Sequence, residues 1–169
     1  MKFSHLRTSP WAPTFTWVAT MREAADRINS FHEDYPRFVM ATEIALSGLE
    51  AKLRLTGGPN MWPLGYFVPL SRLRTIHRNV FGDIYGRGWR AGRVTVGLHR
   101  PPPPEQVPGL MDKLEAAYRI TNLEGLAGWY EDFETIHPFQ DGNGQVGGII
   151  VAAYAHHFHP EKGWLAPDQ

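Results

Sequence analysis

Residues 136–148 read IHPFQDGNGQVGG, and this stretch decides how the rest of the 169-residue chain is interpreted. A helical pattern ends at His137 and Pro138, a polar loop with glycines follows, and a new helix is predicted to begin near Asn143. Backbone N–H groups in such a turn, together with the positive end of the following helix dipole, can bind an anion. The stretch therefore predicts a phosphate-binding loop between two helices.

Two side chains of this loop could take part in a reaction, one as a base and one as a metal ligand. A neutral imidazole at His137, on the rim of the loop, could accept a proton from an incoming hydroxyl. Asp141 offers a hard carboxylate oxygen suited to a Mg²⁺ ion that bridges phosphate oxygens. A base, a metal ligand and an anion cradle are what phosphoryl or nucleotidyl transfer needs. The alternative is a plain connection between helices, in which His137 caps a helix and the glycines supply turn dihedrals.

Outward from the loop, apolar residues recur at helical spacing over most of the chain. The first predicted helix ends near residue 31. Five more are predicted over residues 36–55, 70–80, 107–117, 123–136 and 143–154. Between residues 86 and 104 a weakly alternating segment bounded by glycines predicts a short β-hairpin, and the prolines at 101–104 predict a stiff exit from it. The fold class is therefore all-α, a helical bundle with one short β-hairpin.

Composition excludes several classes of protein. The chain has 17 Lys and Arg, 17 Asp and Glu, and no Cys, so it has neither a disulfide framework nor a Cys-based metal site. Zero net charge argues against a nucleic-acid-binding face, and 43% hydrophobic residues argue against disorder. The start of the chain lacks a secretory apolar region, and no stretch is long and apolar enough to span a bilayer. We therefore expect a cytoplasmic protein that binds neither nucleic acid nor membrane.

The loop resembles the signature of Fic/Doc proteins, whose pattern is His-x-Phe-x-Asp/Glu-Gly-Asn-Gly-Arg-x-x-Arg. The resemblance extends to LRTIHRNVFGDIY at residues 73–85 and WRAG at residues 89–92, which are similar to the helix before the family's hairpin flap. It covers residues 36–160, which we take as the Fic core of a single domain spanning residues 1–169, with an N-terminal arm and first helix in residues 1–35. The resemblance implies the Fic fold and transfer of AMP from ATP to a hydroxyl of a target protein.

The resemblance also implies roles for individual residues. His137 would be the general base, Phe139 a buried anchor of the loop, and Asp141 the Mg²⁺ ligand. The flap, residues 89–98 with Trp89 and Leu98 at its ends, would pair with an extended segment of the target protein by strand addition. The positions matching the nucleotide-binding part of the motif are Gly142, Asn143, Gly144 and Gln145.

Two positions depart from the family pattern: Gln145 and Gly148 stand where it has arginines. Arginine–phosphate contacts are charge-assisted and contribute about 1.5–3 kcal/mol each, so losing both would weaken triphosphate binding by about two to four powers of ten. The sequence is thus interpreted as a nucleotidyltransferase with altered or weakened ATP binding. The alternatives are a catalytically degenerate binding or regulatory module, and a transferase that uses a non-triphosphate donor or a small-molecule substrate. A regulatory partner or a homo-oligomer is also considered.

Two further features have competing interpretations. Residues 45–51 are similar in placement to the family's inhibitory motif, Ser/Thr-x-x-x-Glu-Gly/Asn, but Leu46 and Ala51 depart from it, so Glu50 either regulates the site or lies on a solvated helix face. His156 and His159 are three residues apart, as metal ligands on a helix can be, but no acidic third ligand is evident beside them. A helix end with dipole-favoured histidines is the preferred interpretation.

Overall fold

The computed structural model describes residues 14–55 and 65–168. Within these residues the chain forms six α-helices and two short β-strands, so the all-α class is confirmed. Most of the predicted N-terminal arm lies outside the described residues. The elements are β1 (Phe15–Val18), α1 (Met21–Asn29), α2 (Tyr35–Leu55), α3 (Leu70–Phe81), α4 (Val107–Ala117), α5 (Leu123–Ile136), α6 (Asn143–Phe158) and β2 (Trp164–Pro167).

The centre of the fold is α6. Every residue from 145 to 155 is buried, which explains why this helix is apolar on all of its faces. Helices α1, α2 and α5 and strand β2 pack around it. Small residues along α6, such as Gly147 and Gly148, allow these neighbours to approach closely: an added Cβ would come within 3.0–3.2 Å of side chains of α5 and α1. The N-terminus of α6 is consequently held in a fixed position relative to α1 and α5.

The two strands join distant parts of the chain. β1 pairs antiparallel with β2, so that Phe15 lies opposite Pro167 and Val18 opposite Trp164. Side chains reinforce the pairing, because Thr16 Oγ1 donates to Asp168 Oδ1 at 2.7 Å and Arg27 donates to Thr16 Oγ1 at 3.1 Å. Since Arg27 belongs to α1, these bonds attach the sheet to the helix that packs on the N-terminal half of α6.

The β element is not where the sequence predicted it. Residues 89–98 form no strand; the segment turns back at Gly97, and Val96 and His99 exchange backbone hydrogen bonds of 3.0 and 2.9 Å as a single bridge. The physical reason is Arg90, whose buried guanidinium donates hydrogen bonds to the carbonyls of Gly92 and Pro102. The segment therefore wraps around a buried cation instead of closing a ladder, and the two-stranded sheet lies at residues 15–18 and 164–167.

None of the described helices combines the length and the apolarity needed to cross a bilayer. The longest, α2, has 21 residues but carries charged side chains along its length. Its exposed face includes Met40, Ile44 and Leu55. The other face of α2 packs on α1, α3 and α6 and carries Phe38, Leu46, Leu49 and Leu53 into the core.

Candidate active site

His137 ends α5 in a backbone conformation that side-chain-bearing residues rarely adopt. Its φ of 52° and ψ of 63° lie in the left-handed region. Among the described residues other than glycine, His137 alone has a positive φ. Its N–H donates to the Phe133 carbonyl at 3.0 Å and so caps the helix. A left-handed residue of this kind costs about 1–2 kcal/mol, so the surrounding structure must hold it.

The group that holds His137 is Arg90. Its Nε donates to the His137 carbonyl at 2.7 Å, and its backbone N–H donates to the Pro138 carbonyl at 2.8 Å. The side chain is only 4% exposed. Three further carbonyls accept from its guanidinium, those of Gly92, Pro102 and Ile136. Sequence reasoning quoted Arg90 as part of a family match and missed this role, since nothing in the local pattern marks an arginine as buried.

The imidazole of His137 is neutral at physiological pH. Burial lowers its pKa from 6.5 to about 4, and electrostatic interactions with Arg90 and His99 act in the same direction. Asp141 and the backbone carbonyl of Glu134 oppose this shift. Nδ1 is shut off from solvent and has no hydrogen-bond partner among the described residues. Any proton that this ring exchanges with a ligand therefore passes through Nε2.

The loop after His137 is closed by the side chain of Asn143. Its Oδ1 accepts from the Phe139 N–H at 2.8 Å, and its Nδ2 donates to the Phe139 carbonyl at 2.8 Å. Phe139 is fully buried and stacks on His77, with ring centroids 4.0 Å apart. His77 in turn bonds through Nε2 to the Asp141 carbonyl at 3.0 Å. Burial lowers the pKa of His77, so a neutral ring donates this bond and fixes the loop on α3.

The first turn of α6 leaves three backbone donors without an acceptor among the described residues. The first i to i−4 bond is that of Val146 to the Gly142 carbonyl, at 3.0 Å. The N–H groups of Asn143, Gly144 and Gln145 therefore have no acceptor within the helix. Gly142 plays a different part, because its own N–H donates to Asp141 Oδ1 at 2.7 Å. Its φ is +82°, and a Cβ there would lie 2.5 Å from the Phe81 ring, so only glycine fits this turn.

Asp141 presents its carboxylate beside these donors. The side chain is 58% exposed, and Oδ2 lies 3.9 Å from Nε2 of His32, which also bonds to the Tyr85 hydroxyl at 2.7 Å. Among the described residues no group of three His, Asp or Glu side chains gathers around a possible metal position. One accessible carboxylate next to a phosphate cradle fits Mg²⁺, which is commonly bound by one or two carboxylates together with phosphate oxygens and water.

Comparison with known proteins identifies the family. The model of the Fic/DOC family matches residues 67–155, which is more than half of the chain and includes the loop and the helices on either side of it. The chain belongs to the Fic/DOC family. It is 32% identical over 94 residues to a protein adenylyltransferase Fic of Aedes aegypti, across 50% of this chain and 19% of that protein. The chain thus spans about a fifth of the length of this curated relative.

A solved structure supports the fold. A Fic domain containing signaling protein from Bacteroides thetaiotaomicron superimposes with a TM-score of 0.58 at 22% sequence identity. The superposition covers 75% of this chain and 50% of that one. At this level of identity the likeness establishes the Fic fold, while the chemistry has to be argued from the residues of this chain.

Gln145 and Gly148, which stand at the arginine positions of the signature that the loop resembles, are both buried. The Gln145 side chain is buried, and its Nε2 has no hydrogen-bond partner within the described structure. At Gly148 a Cβ would lie 3.2 Å from Cγ1 of Ile28 on α1, so any side chain there would begin in tight contact with α1. Beside them is a cavity of about 150 Å³, lined by Gln145, Gly148, Phe15, Ile28, Phe31, His32, Tyr130, Gly144 and Pro167. The described lining includes His32 but no lysine or arginine.

A buried acid lies one turn before His137. Burial raises the pKa of Glu134 from 4.5 to about 8, so the carboxyl is protonated at neutral pH. Its Oε1 has no partner among the described residues and lies 3.1 Å from the position of a Cβ on Gly147. Sequence reasoning missed Glu134, since a single acid in a helical pattern normally indicates an exposed face.

Glu50 lies far from the motif positions. It pairs with Arg54, with 2.8 Å between Oε1 and Nε, and its charge raises the pKa of His157 against the effect of burial. His157 is in the last turn of α6, fourteen residues after Asn143, which is about 21 Å along a helix. Glu50 therefore faces the opposite end of α6 from Gln145, and its side chain is only 20% exposed beside Arg54.

The histidines at the end of α6 make structural contacts. His156 stacks on Trp164, with ring centroids 3.9 Å apart, and its Nδ1 bonds to the Gly163 carbonyl at 2.7 Å. His159 lies 3.6 Å from a carboxylate oxygen of Glu161. These contacts anchor the end of α6 to the segment that leads into β2.

Proposed function

We propose that this Fic-family chain transfers a phosphate-containing group from a donor to a hydroxyl, with AMP transfer from ATP to a protein hydroxyl as the default reaction. The observation that carries the proposal is the placement of a neutral imidazole, His137, at one end of the loop whose other end presents the free N–H groups of α6. A base and an anion site built into one loop of this family, next to an accessible Asp141, support the proposal.

The proposed step is an attack by the hydroxyl oxygen on the phosphorus of the donor. A bond forms between that oxygen and phosphorus, the hydroxyl proton passes to Nε2 of His137, and the bond between phosphorus and the leaving group breaks with its electron pair. The N–H groups of residues 143–145 stabilise the negative charge on the phosphoryl oxygens. Asp141 would hold Mg²⁺, which when bound neutralises phosphate charge.

The low pKa of His137 makes it a weak base in the free protein. General bases work best when their pKa lies near the working pH. A phosphate bound at the N-terminus of α6 places negative charge beside the ring, and negative charge favours the protonated imidazole. We infer that donor binding raises the pKa of His137 from about 4, so that the base gains strength when its substrate is present.

A protein is the proposed acceptor because of the segment at residues 89–98. Its residues 93–95 have no regular secondary structure and form no ladder with the described residues, and exposure alternates along them. Such a segment can pair with an extended peptide through backbone hydrogen bonds. Arg90 attaches the same segment to the carbonyl of His137, so a target paired there would be held close to the base.

The test is a transfer assay with nucleotides labelled in the α-phosphate, Mg²⁺ and a cell lysate as the source of acceptors. The matched control is His137→Asn, because asparagine tolerates the left-handed conformation while it removes the base. We expect labelled protein with the native chain and none with the variant. If no nucleotide gives label that depends on His137, the enzymatic proposal is wrong.

A second candidate is a catalytically inactive binding module, favoured by Gln145 and Gly148 at the motif's arginine positions. It shares the anion site at α6 but predicts binding without transfer. Calorimetry with nucleotides and inorganic phosphate separates the two candidates, since the module binds its ligand and leaves every acceptor unlabelled.

A further inference from the structure

The arginines of this chain are concentrated around the flap, residues 89–98. Residues 70–100 contain seven of the 17 Lys and Arg residues of the chain and only one of the 17 Asp and Glu residues. Because the whole chain has no net charge, the residues outside this range carry an excess of acidic side chains. The chain is therefore neutral as a whole but strongly positive in the region that includes the flap.

Contacts of the flap place this positive region beside the proposed base. A Cβ on Gly92 would lie 3.2 Å from Oε1 of Gln140. Directly after the flap, His99 bonds through Nε2 to the carbonyl of Thr135 at 3.0 Å. Thr135 and Gln140 lie two residues before and three residues after His137 in the sequence. A partner bound along the flap would consequently lie close to His137.

Three exposed arginines belong to this region: Arg74, Arg93 and Arg100. Arg74 reaches the flap from α3, with its guanidinium carbon 5.2 Å from the centre of the Trp89 ring. None of the three forms an ion pair with a carboxylate of the described residues. The acid of the region, Asp83, is paired with Arg87, with 2.9 Å between Oδ1 and Nε. The charges of the three arginines are therefore available to a partner, and together with the flap they form what we call the basic flap surface.

The backbone of the flap favours a peptide as this partner. Residues 93–95 form no ladder with the described residues, so an extended peptide can pair with them. A nucleic acid has no backbone that could form such a ladder. Arg93 and Thr95 are exposed and Val94 between them is half-buried, so alternate side chains of a paired peptide would lie on the side of Arg93. Opposite charges on facing residues of two strands stabilise their pairing, and like charges destabilise it.

We propose that the basic flap surface binds an acidic extended segment of the acceptor protein, with Asp or Glu side chains close to Arg74, Arg93 and Arg100. The inference rests on the proposed function, because it names the class of acceptor for that same site. The excess of acid on the rest of the chain repels such a segment, so charge directs it to the flap. Acceptor hydroxyls are therefore expected within acidic stretches of their proteins.

The test is fluorescence anisotropy of labelled peptides with the full chain at low ionic strength. Three peptides of about ten residues alternate Thr with Glu, Gln or Lys around a central Ser, so they differ only in charge. We expect the Glu peptide to bind at least about tenfold more tightly than the Gln peptide, and the Lys peptide to bind most weakly. Salt at about 0.3 M should remove most of this advantage, because the arginines are exposed. Equal affinities of the Glu and Gln peptides would overturn the proposal.

Two further probes separate a paired acidic peptide from other anionic ligands. A Glu peptide with Pro in place of Thr keeps the charge and loses the N–H groups that a ladder needs, so it should bind several-fold more weakly. An oligothymidylate of equal charge tests a nucleic acid as the partner and should also bind more weakly. Binding of either probe as tightly as the Glu peptide would contradict the proposal.

Variants locate the effect on the basic flap surface. Arg93→Gln combined with Arg100→Gln removes two charges and should reduce the advantage of the Glu peptide over the Gln peptide to below about threefold. Arg22→Gln combined with Arg54→Gln removes the same charge from side chains on α1 and α2 that are each 66% exposed, and should leave that advantage intact. An unchanged advantage in the first double variant, or an equal loss in the second, refutes the proposed surface.

Failure of this inference is distinguishable from failure of the proposed function. His137→Asn should keep the preference for the Glu peptide, because the basic flap surface does not involve the base. Transfer that depends on His137 but shows no preference for the Glu peptide leaves the enzymatic proposal standing and refutes the acidic acceptor. Tighter binding of the Glu peptide without transfer to any acceptor supports the surface and refutes the enzymatic proposal.

Discussion

Ile28 of α1 lies directly against Gly148 of α6, with its Cγ1 3.2 Å from the position that a Cβ on Gly148 would take. In the Fic/Doc signature that the loop resembles, the matching position is an arginine. In this chain an arginine side chain at Gly148 would begin in tight contact with α1. Gly148 itself is buried in the core.

Restoring the arginine should therefore damage the fold. We expect Gly148→Arg to lower the free energy of unfolding by about 1–3 kcal/mol, the usual cost of overpacking a core, or by more because the new group is charged. Urea denaturation measures this loss. Combining Gly148→Arg with Ile28→Ala should cost less than the sum of the two single changes, since the alanine opens space for the arginine. Strict additivity of the two losses would show that Ile28 does not limit this position.

The Asn143 side chain should be essential to the shape of the loop. Asn143→Ala leaves the N–H and carbonyl of Phe139 without their 2.8 Å partners. Because unpaired buried backbone groups cost about 1–3 kcal/mol, we expect a loss of that order in the free energy of unfolding. Asn79→Ala, at an exposed position on α3, is the matched control and should change stability by less than about 0.5 kcal/mol. Equal effects of the two variants would contradict the role of Asn143.

Arg90 should act on His137 through charge as well as through position. In Arg90→Met the positive charge that lowers the pKa of His137 is removed while the aliphatic part of the side chain is kept. We expect the pKa of His137 to rise above about 4 and to stay below 6.5, because burial still favours the neutral ring. A proton NMR titration of the His137 ring measures this value. Arg90→Lys keeps a charge and should leave the pKa closer to the native value. A pKa unchanged in Arg90→Met would show that Arg90 only holds the backbone.

Glu134 should make stability depend on pH. Its pKa is about 8 in the folded chain and 4.5 in the unfolded chain, so the folded state binds more protons between these values. The contribution of Glu134 to the free energy of unfolding is therefore fully present below pH 4.5 and is lost as the pH rises toward 8. Glu134→Gln cannot ionise, so its stability advantage over the native chain should grow by about 4 kcal/mol between pH 5 and pH 9, at about 1.4 kcal/mol for each pH unit up to pH 8.

Thermal or urea unfolding at the two pH values measures this gain. Glu105→Gln, at an exposed residue before α4, serves as the control and should show no such gain. If the difference between Glu134→Gln and the native chain is the same at both pH values, the carboxyl of Glu134 is not held neutral by burial.

The helices and the loop were predictable because their signals are local. Helical spacing predicted a helix over residues 70–80, where α3 spans Leu70–Phe81, and the polar loop with glycines predicted the start of α6 near Asn143. The family's buried anchor was implied at Phe139, which is fully buried. These features depend on neighbouring residues, which a single sequence displays directly.

The rest of the site depends on contacts between residues distant in sequence. β1 pairs with β2 and places Phe15 opposite Pro167, and no local sequence pattern predicts this pairing. The burial of Arg90 shortened the predicted hairpin to the single bridge between Val96 and His99. The packing of α1 on Gly148 likewise appears only when the two helices meet. The departures at the motif's arginines were visible in the sequence, whereas the cavity that accompanies them was not.

The most direct test of the account is intact-protein and peptide mass spectrometry of acceptors after incubation with Mg²⁺ and a panel of nucleotides. The native chain should add a nucleotidyl or phosphoryl mass to a hydroxyl side chain, and His137→Asn should add none. The same modification at the same rate with both proteins, or no modification with any nucleotide, would contradict the claim that His137 performs the transfer.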